Sequence, residues 1–369
     1  MRLCLNASNI KQGGAIGVAA SFLDEVLKKS AQGDLDWVTE LTLQVSKNVQ
    51  KEMLVQALSS EGSCIRFEVV PAEMRPLIPS FKQEFDVRFS IFGPEYATRK
   101  ARVELAGFAD GSLFPPPDFK ADIDTIQSAK FALLRKIKLR HLRRYDGLIV
   151  ETPAMANKLR ERSQDTPIWI VPNSPRDVFF DTKLQGPKTL PPRSVGELRL
   201  FYPARGYPHK NHKIISQIAD KYLQLTGSQL KVVTTLRAEE MESLGLGQVE
   251  GFINVGEIGS EECARIMHAC DGVFFPSLNE TASATPLESV AAQRILFAAD
   301  RDYVRDTMQE GAVYFDPLDP MDAARKISDF ENPDKRWDFV VKNQSRRRSL
   351  PTQSQRADAY MDIIQGYLP

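Results

Sequence analysis

Apolar and polar positions change period repeatedly along this 369-residue chain. In the first half, short apolar runs at 3–5, 64–70, 87–92, 147–150 and 168–171 have the length and composition of buried strands. Helical spacing separates some of them, at 15–27 and 46–58. The second half alternates more cleanly. Strand-like runs at 198–203, 229–235, 251–256, 272–275, 294–299 and 312–315 enclose helical patterns at 213–222, 262–270 and 321–330, with another helix opening near Pro286. Such alternation predicts an α/β fold on mostly parallel sheets. Residues 356–368 predict a last helix with Ala359, Tyr360, Ile363, Ile364 and Tyr367 facing inward.

Between the halves lies Gly186-Pro187-Lys188-Thr189-Leu190-Pro191-Pro192-Arg193, a proline-dense polar tract without periodicity. It is the best interdomain linker in the chain. The length suits two cores better than one.

Composition narrows the function classes. Lys plus Arg and Asp plus Glu both number 48, so no global basic field points to nucleic acid. The cysteines at 4, 64, 263 and 270 lack metal-ligand or CxxC spacing and suit a reducing compartment. Met1-Arg2-Leu3 leads straight into the first strand, and no run of about 18 apolar residues occurs. A soluble, cytoplasmic protein is expected.

One segment breaks the charge balance. Residues 130–144 carry Lys130, Arg135, Lys136, Lys138, Arg140, Arg143 and Arg144 with no acid. Phe131, Leu134, Ile137 and Leu142 can share much of one helical face, widened by Leu133 and Leu139. The plainer expectation, and the favoured one, is a surface helix packing its stripe on its own domain. The other is a peripheral contact with an anionic membrane surface.

The stretch 272–288 carries the candidate chemistry. A buried strand, Gly272 to Phe275, runs into a loop of small residues and then a helix. That arrangement aims backbone amides and a helix dipole at an anion. Glu280 and Glu288 bracket the loop. Glu288 has a structural competitor, since Thr285-Pro286-Leu287-Glu288 fits a capping box with Thr285 as cap. Arg205 and Lys210 follow the strand at 198–203 on one loop, where two cations could neutralise a diphosphate without a metal. Gly13 and Gly14, after the first strand, fit either close approach to a ligand or an ordinary turn.

Together these residues resemble the donor domain of the retaining glycosyltransferases of family 4, which have the GT-B fold. The likeness rests on Arg205 and Lys210 five apart, Asp271 to Ser277, the two glutamates separated by seven residues, Ala299-Asp300, Val304-Arg305-Asp306, Gly311 and Phe315-Asp316-Pro317. It covers roughly 198–330. The first half matches in architecture, in Gly13-Gly14 and in Pro172-Asn173-Ser174.

The resemblance implies two Rossmann-like domains facing across a cleft. An acceptor domain would span 1–185, a linker 186–196, a nucleotide-sugar domain 197–345, and a returning helix 346–369. It also implies roles. Arg205 and Lys210 would bind the donor diphosphate, and Glu280 the sugar hydroxyls. Amides of Ala282, Ser283 and Ala284 would face sugar and phosphate, and Glu288 would hold the ribose. Gly13 and Gly14 would let the opposing domain close, and Gly256 and Glu257 fall where the base-binding loop lies. No metal or other cofactor is called for. The acceptor would be a glycan or lipid-linked oligosaccharide, as in surface polysaccharide or lipopolysaccharide O-chain assembly.

Two departures stand out. The family's acceptor-domain histidine has no counterpart, because the sole histidine of the first half is His141 in the basic segment. Thr281-Ala282 replaces the aromatic-glycine pair common after the first glutamate. Asp34-Leu35-Asp36 and Asp122-Ile123-Asp124 resemble the metal motif of the other glycosyltransferase fold but follow no suitable strand. A sugar-nucleotide epimerase, a nicotinamide-dependent oxidoreductase and a catalytically silent membrane-binding protein are the rivals. Against the oxidoreductase, no G-x-G-x-x-G opens a strand-to-helix turn.

Overall fold

The computed structural model describes residues 1–11, 13–54, 65–70, 84–95, 100–115, 125–162, 165–184, 186–247 and 249–368, with the side chains of 125–131 excepted. Cys64, the Asp122-Ile123-Asp124 motif, residues 55–58 of the expected helix at 46–58 and the side chains of Lys130 and Phe131 lie outside the described residues, and the described part of that helix stops at Glu52, where Met53 turns to an extended conformation.

The strands are β1 (Arg2–Ala7), β2 (Glu40–Val45), β3 (Ile65–Val69), β4 (Phe85–Gly93), β5 (Ala101–Phe108), β6 (Gly147–Val150), β7 (Ile168–Ile170), β8 (Glu197–Tyr202), β9 (Gln229–Thr234), β10 (Phe252–Asn254), β11 (Gly272–Phe275), β12 (Ile295–Ala299) and β13 (Val313–Phe315). They pair in parallel throughout, as two sheets ordered β3-β2-β1-β4-β5-β6-β7 and β10-β9-β8-β11-β12-β13. Each sheet builds outward in both directions from its first strand, the doubly wound α/β order. Ligands of such sheets bind at the carboxyl ends of the strands where the order reverses. In the second sheet that point lies between β8 and β11.

Two compact units result, one around each sheet, with the chain passing to the second at Ser174 and returning to the first at Pro351. The returning helix, Gln353–Gln365, packs on the helix Gly14–Gln32 of the first unit. The Tyr360 ring lies 5.1 Å from Phe22 and 5.4 Å from Phe89. Arg356, only 2% exposed, donates to Asn173 Oδ1 at 2.5 Å, Val18 O at 3.1 Å and Ser21 Oγ at 2.7 Å. A guanidinium with that many acceptors can be buried where an unpaired one could not. Tyr360 and Ile364 face the core as expected, while Ala359, Ile363 and Tyr367 pack at its margin.

Three expectations need correction. Strands β2 and β5 were absent from the apolar-run reading because each carries polar letters. Thr42, Gln44 and Glu104 are nevertheless buried, and Gln44 Nε2 donates to Glu68 while Glu104 accepts from the Lys100 and Ala101 amides. The tract 186–196, expected as a linker, runs along the second unit. The Lys188 and Thr189 amides donate to Glu262, Arg193 pairs with Asp271 at 2.8 Å, and Pro191 and Pro192 carbonyls accept from Arg199. Prolines that cannot donate still offer carbonyls, and a buried guanidinium takes them up. Third, the basic segment forms the helix Thr125–Leu142, yet Leu133, Leu134 and Ile137 are 60%, 41% and 39% exposed. Leu142 is buried and Leu139 half-buried, so the unit covers a different arc from the expected stripe.

Candidate functional site

The site grows from the carboxyl ends of β8 and β11, adjacent strands registered Gly272 to Leu200 and Val273 to Phe201. Phe201, Tyr202, Phe274 and Phe275 are all nearly fully buried there. Each such ring contributes about 2–3 kcal/mol by burial, so the strand ends form a rigid base for the loops beyond.

After β8 the chain turns through Arg205 and Gly206 into the single 3-10 turn Pro208–Lys210, closed by Asn211 in the left-handed region at φ 57°. Asparagine enters that region more readily than most residues. Here Nδ2 donates to Pro317 O at 2.9 Å. The Tyr202 hydroxyl donates to Lys210 O at 2.8 Å and so holds the lysine backbone from below. The Leu278 amide donates to His209 O at 2.7 Å, tying this loop to the one after β11. On that second loop, the Tyr303 hydroxyl donates to Ser277 O at 2.7 Å. Burial, helped by the Glu280 charge, keeps the Tyr202 and Tyr303 hydroxyls well above their ordinary pKa, so both remain donors.

This scaffold brings Lys210 and Glu280 together. Lys210 Nζ lies 2.7 Å from Glu280 Oε1, with side-chain exposures of 14% and 11%, and 5.9 Å from the centre of the Phe275 ring. Neither charge faces bulk water freely, so each is a main partner of the other. Arg205 lies five residues before Lys210 on the same loop. Its Nη1 donates to Glu257 Oε1 at 2.9 Å, and its Nε lies 3.1 Å from Glu240 Oε1.

Glu240 also accepts from the Gly206 amide at 3.0 Å and from the Arg237 amide at 2.9 Å. Burial opposes its charged form, but those amides and the Arg205 guanidinium outweigh it and hold the carboxyl below its usual range. A Cβ on Gly206 would stand 2.9 Å from Glu240 Cβ, which explains glycine there. The Arg237 side chain binds Glu257 through two nitrogens, at 2.6 and 3.0 Å, and lowers the Glu257 pKa.

Glu288 lies one helical turn into the helix Ala284–Ala291 and is 3% exposed. It is not part of a capping box. The helix begins before Pro286, its cap position is Ser283, and Thr285 sits within the first turn. Instead Glu288 Oε1 accepts from Arg176 Nε at 3.0 Å, and Arg176 also donates to Ser260 Oγ and lies over the Phe179 ring. A tertiary cation holds the buried carboxylate for which a local cap was the structural alternative.

Ala282, Ser283 and Ala284 form the entry to this helix, and Gly256, at φ 75°, precedes Glu257 after β10. Gly13 and Gly14 belong to the first unit. Gly13, at φ 75°, caps the helix Gly14–Gln32 with no side chain of its own and with open space where a Cβ would stand. His141 lies in the basic helix, where burial and the neighbouring Arg144 and Arg140 lower its pKa.

Arg176, Tyr202, Arg237 and Glu240 were missed as site residues. Tyr202 could have been found as the polar end of an apolar strand just before the basic loop. Glu240 sits three residues after Arg237 at a capping-box position, which is a local signal, but nothing local shows that Arg205 and Glu257 meet this pair or that Arg176 meets Glu288.

A scan against protein-family models finds no match, and a search of curated proteins finds none. Solved structures do match over essentially the whole chain. Sucrose-phosphate synthase from Thermosynechococcus elongatus is 14% identical, with TM-score 0.68, covering 99% of this chain and 98% of that one. An alpha,alpha-trehalose-phosphate synthase (UDP-forming) from Burkholderia vietnamiensis is 11% identical, with TM-score 0.66 and coverages of 99% and 98%. An E. coli protein described as trehalose-6-phosphate bound with UDP-2-fluoro glucose is 10% identical, with TM-score 0.65 and full coverage of both chains. The likeness establishes the fold: two parallel-sheet Rossmann-like domains of the GT-B kind.

Proposed function

We propose that this protein is a retaining glycosyltransferase that moves a sugar from a nucleotide-diphosphate sugar to a glycan or lipid-linked oligosaccharide, of the kind used in surface polysaccharide assembly. The observation that carries the reading is the Lys210–Glu280 pair, 2.7 Å apart at the carboxyl ends of β8 and β11, with Arg205 on the same loop. Fixed cations beside an acceptor-only carboxylate suit a ligand that is anionic at one end and hydroxylated at the other.

In this reading Arg205 and Lys210 bind the diphosphate and stabilise the charge that grows on it as the glycosidic bond breaks. Glu280 accepts from sugar hydroxyls, and the amides of Ala282, Ser283 and Ala284 approach sugar and phosphate. Glu288 binds the ribose hydroxyls, and Arg176, whose Nε donates to its Oε1 at 3.0 Å, holds the carboxylate in place. Glu257 and Gly256 border the base. The acceptor attacks on the face from which the phosphate departs, and the leaving phosphate takes the acceptor proton. The reading calls on no metal, because the two cations supply the positive charge. Uridine diphosphate sugars are the first donors to try, since one matching structure holds UDP-2-fluoro glucose.

Thermal stabilisation by a panel of nucleotide sugars, with mass detection of released nucleotide, tests the proposal. A shift with a nucleotide sugar that is absent from Lys210→Ala supports it; a shift with NAD alone overturns it in favour of an oxidoreductase.

A further inference from the structure

The helix Thr125–Leu142 leaves an unexplained face. Leu133, Ile137 and Arg140 stand at i, i+4 and i+7, with Lys136 on one flank and Leu134 on the other, and all five are exposed. This spacing places them on one side of a helix. The opposite arc is occupied: Leu142 is 1% exposed in a small core with Tyr145, Leu148 and Met155, and Lys138 Nζ pairs with Asp110 at 2.5 Å. The unit therefore anchors one side of the helix and presents three large aliphatic side chains beside cations on the other.

We propose that this face docks the protein on an anionic bilayer surface. Two features point the same way. Charge complementarity comes first: Arg135, Lys136, Arg140, Arg143 and Arg144 are exposed, and no acid occurs from 125 to 145. Second, the aliphatic side chains lie within the basic surface rather than apart from it. Aliphatic chains can enter the headgroup boundary while Lys and Arg stems reach back to phosphates. A nucleic acid or an acidic peptide would use the cations but leave Leu133, Leu134 and Ile137 in water. The inference concerns the first unit alone and stands whether or not the donor-site reading holds.

The test is co-sedimentation of the full chain with vesicles of phosphatidylcholine alone and of phosphatidylcholine with about one-third phosphatidylglycerol. Binding is expected only with the anionic lipid and should weaken as salt is raised. Lys136→Gln with Arg140→Gln should weaken binding about 25-fold, about fivefold for each charge near an anionic surface. Leu133→Asn with Ile137→Asn should weaken it at least tenfold while circular dichroism is unchanged, because both side chains are already exposed. Equal binding to neutral vesicles, or no loss in either variant, overturns the proposal. So does loss in the charge variant with none in the aliphatic one, which would mean that the attraction is electrostatic alone and the aliphatic side chains do not enter the bilayer.

Discussion

His212 offers a measurement of how tightly the candidate site is packed. The residue follows the Lys210 loop, is 2% exposed, and lies with its ring 5.0 Å from that of Tyr202. Among the described residues neither ring nitrogen has a hydrogen-bond partner. Burial, with Lys210 nearby, pushes its pKa down from the ordinary 6.5 to about 4. The folded protein therefore holds a neutral ring where the unfolded chain would take up a proton. Between those two values the unfolded state binds more protons, so stability rises with pH. The contribution is complete above pH 6.5 and is lost as pH falls to about 4.

At about 1.4 kcal/mol per pH unit, that interval amounts to about 3 kcal/mol. His212→Phe keeps a ring on Tyr202 and removes both the titration and the two unpaired nitrogens. At neutral pH the variant should lie within about 1 kcal/mol of wild type. Toward pH 4 it should be ahead by about 3 kcal/mol. Hydrogen exchange of the β8 and β11 amides in a urea series reads this locally. Carboxylates titrate in both proteins and cancel in the difference. Parallel pH profiles for the two proteins would refute the reasoning, because a ring that costs nothing to protonate is solvated or partnered.

Removing one member of the Lys210–Glu280 pair should cost more stability than removing both. Lys210→Met leaves a carboxylate with 11% side-chain exposure and should cost about 3 kcal/mol. Adding Glu280→Gln should restore most of that, while transfer stays down by about 100-fold or more in every variant; additive unfolding energies would mean the two charges do not interact. Gly206→Ala brings a Cβ to 2.9 Å from Glu240 Cβ, so it should weaken nucleotide-sugar binding in a calorimetric titration and cost about 1–2 kcal/mol. Unchanged affinity would show that Glu240 is not needed to place Arg205. Tyr202→Phe removes the bond to Lys210 O and should cost about 1 kcal/mol and raise the donor KM more than it lowers kcat. An unaltered KM would leave Tyr202 with a purely structural job.

Strands buried on both faces are easiest to read when every letter is apolar. β11 spans Gly272–Phe275 as the run predicts, and β6 matches at Gly147–Val150. β2 and β5 escaped because their polar residues are paid for by partners elsewhere in the sheet: Gln44 by Glu68, Glu104 by local amides and by Arg88 at 3.5 Å. The basic helix shows the matching limit for helices. Periodicity marks which residues share a face, but not which face the domain covers. The stripe 134, 137 and 142 was split, with Leu142 taken into the core and Leu134 and Ile137 left outside.

The candidate site divides along the same line. Local order placed Arg205 and Lys210 on a loop after one strand and Glu280 and Glu288 around the loop after another, because strand-loop-helix units are specified by neighbouring residues. Only the tertiary structure decided what each charge meets. Lys210 and Glu280 are 70 residues apart, Arg205 and Glu257 52, and Arg176 and Glu288 112. A capping box was a sound local account of Glu288, and it failed because the helix starts earlier and a distant guanidinium reaches the carboxylate first. The energy of an ion pair depends on distance and on exclusion of water, and parallel-sheet topology sets both by laying β8 beside β11.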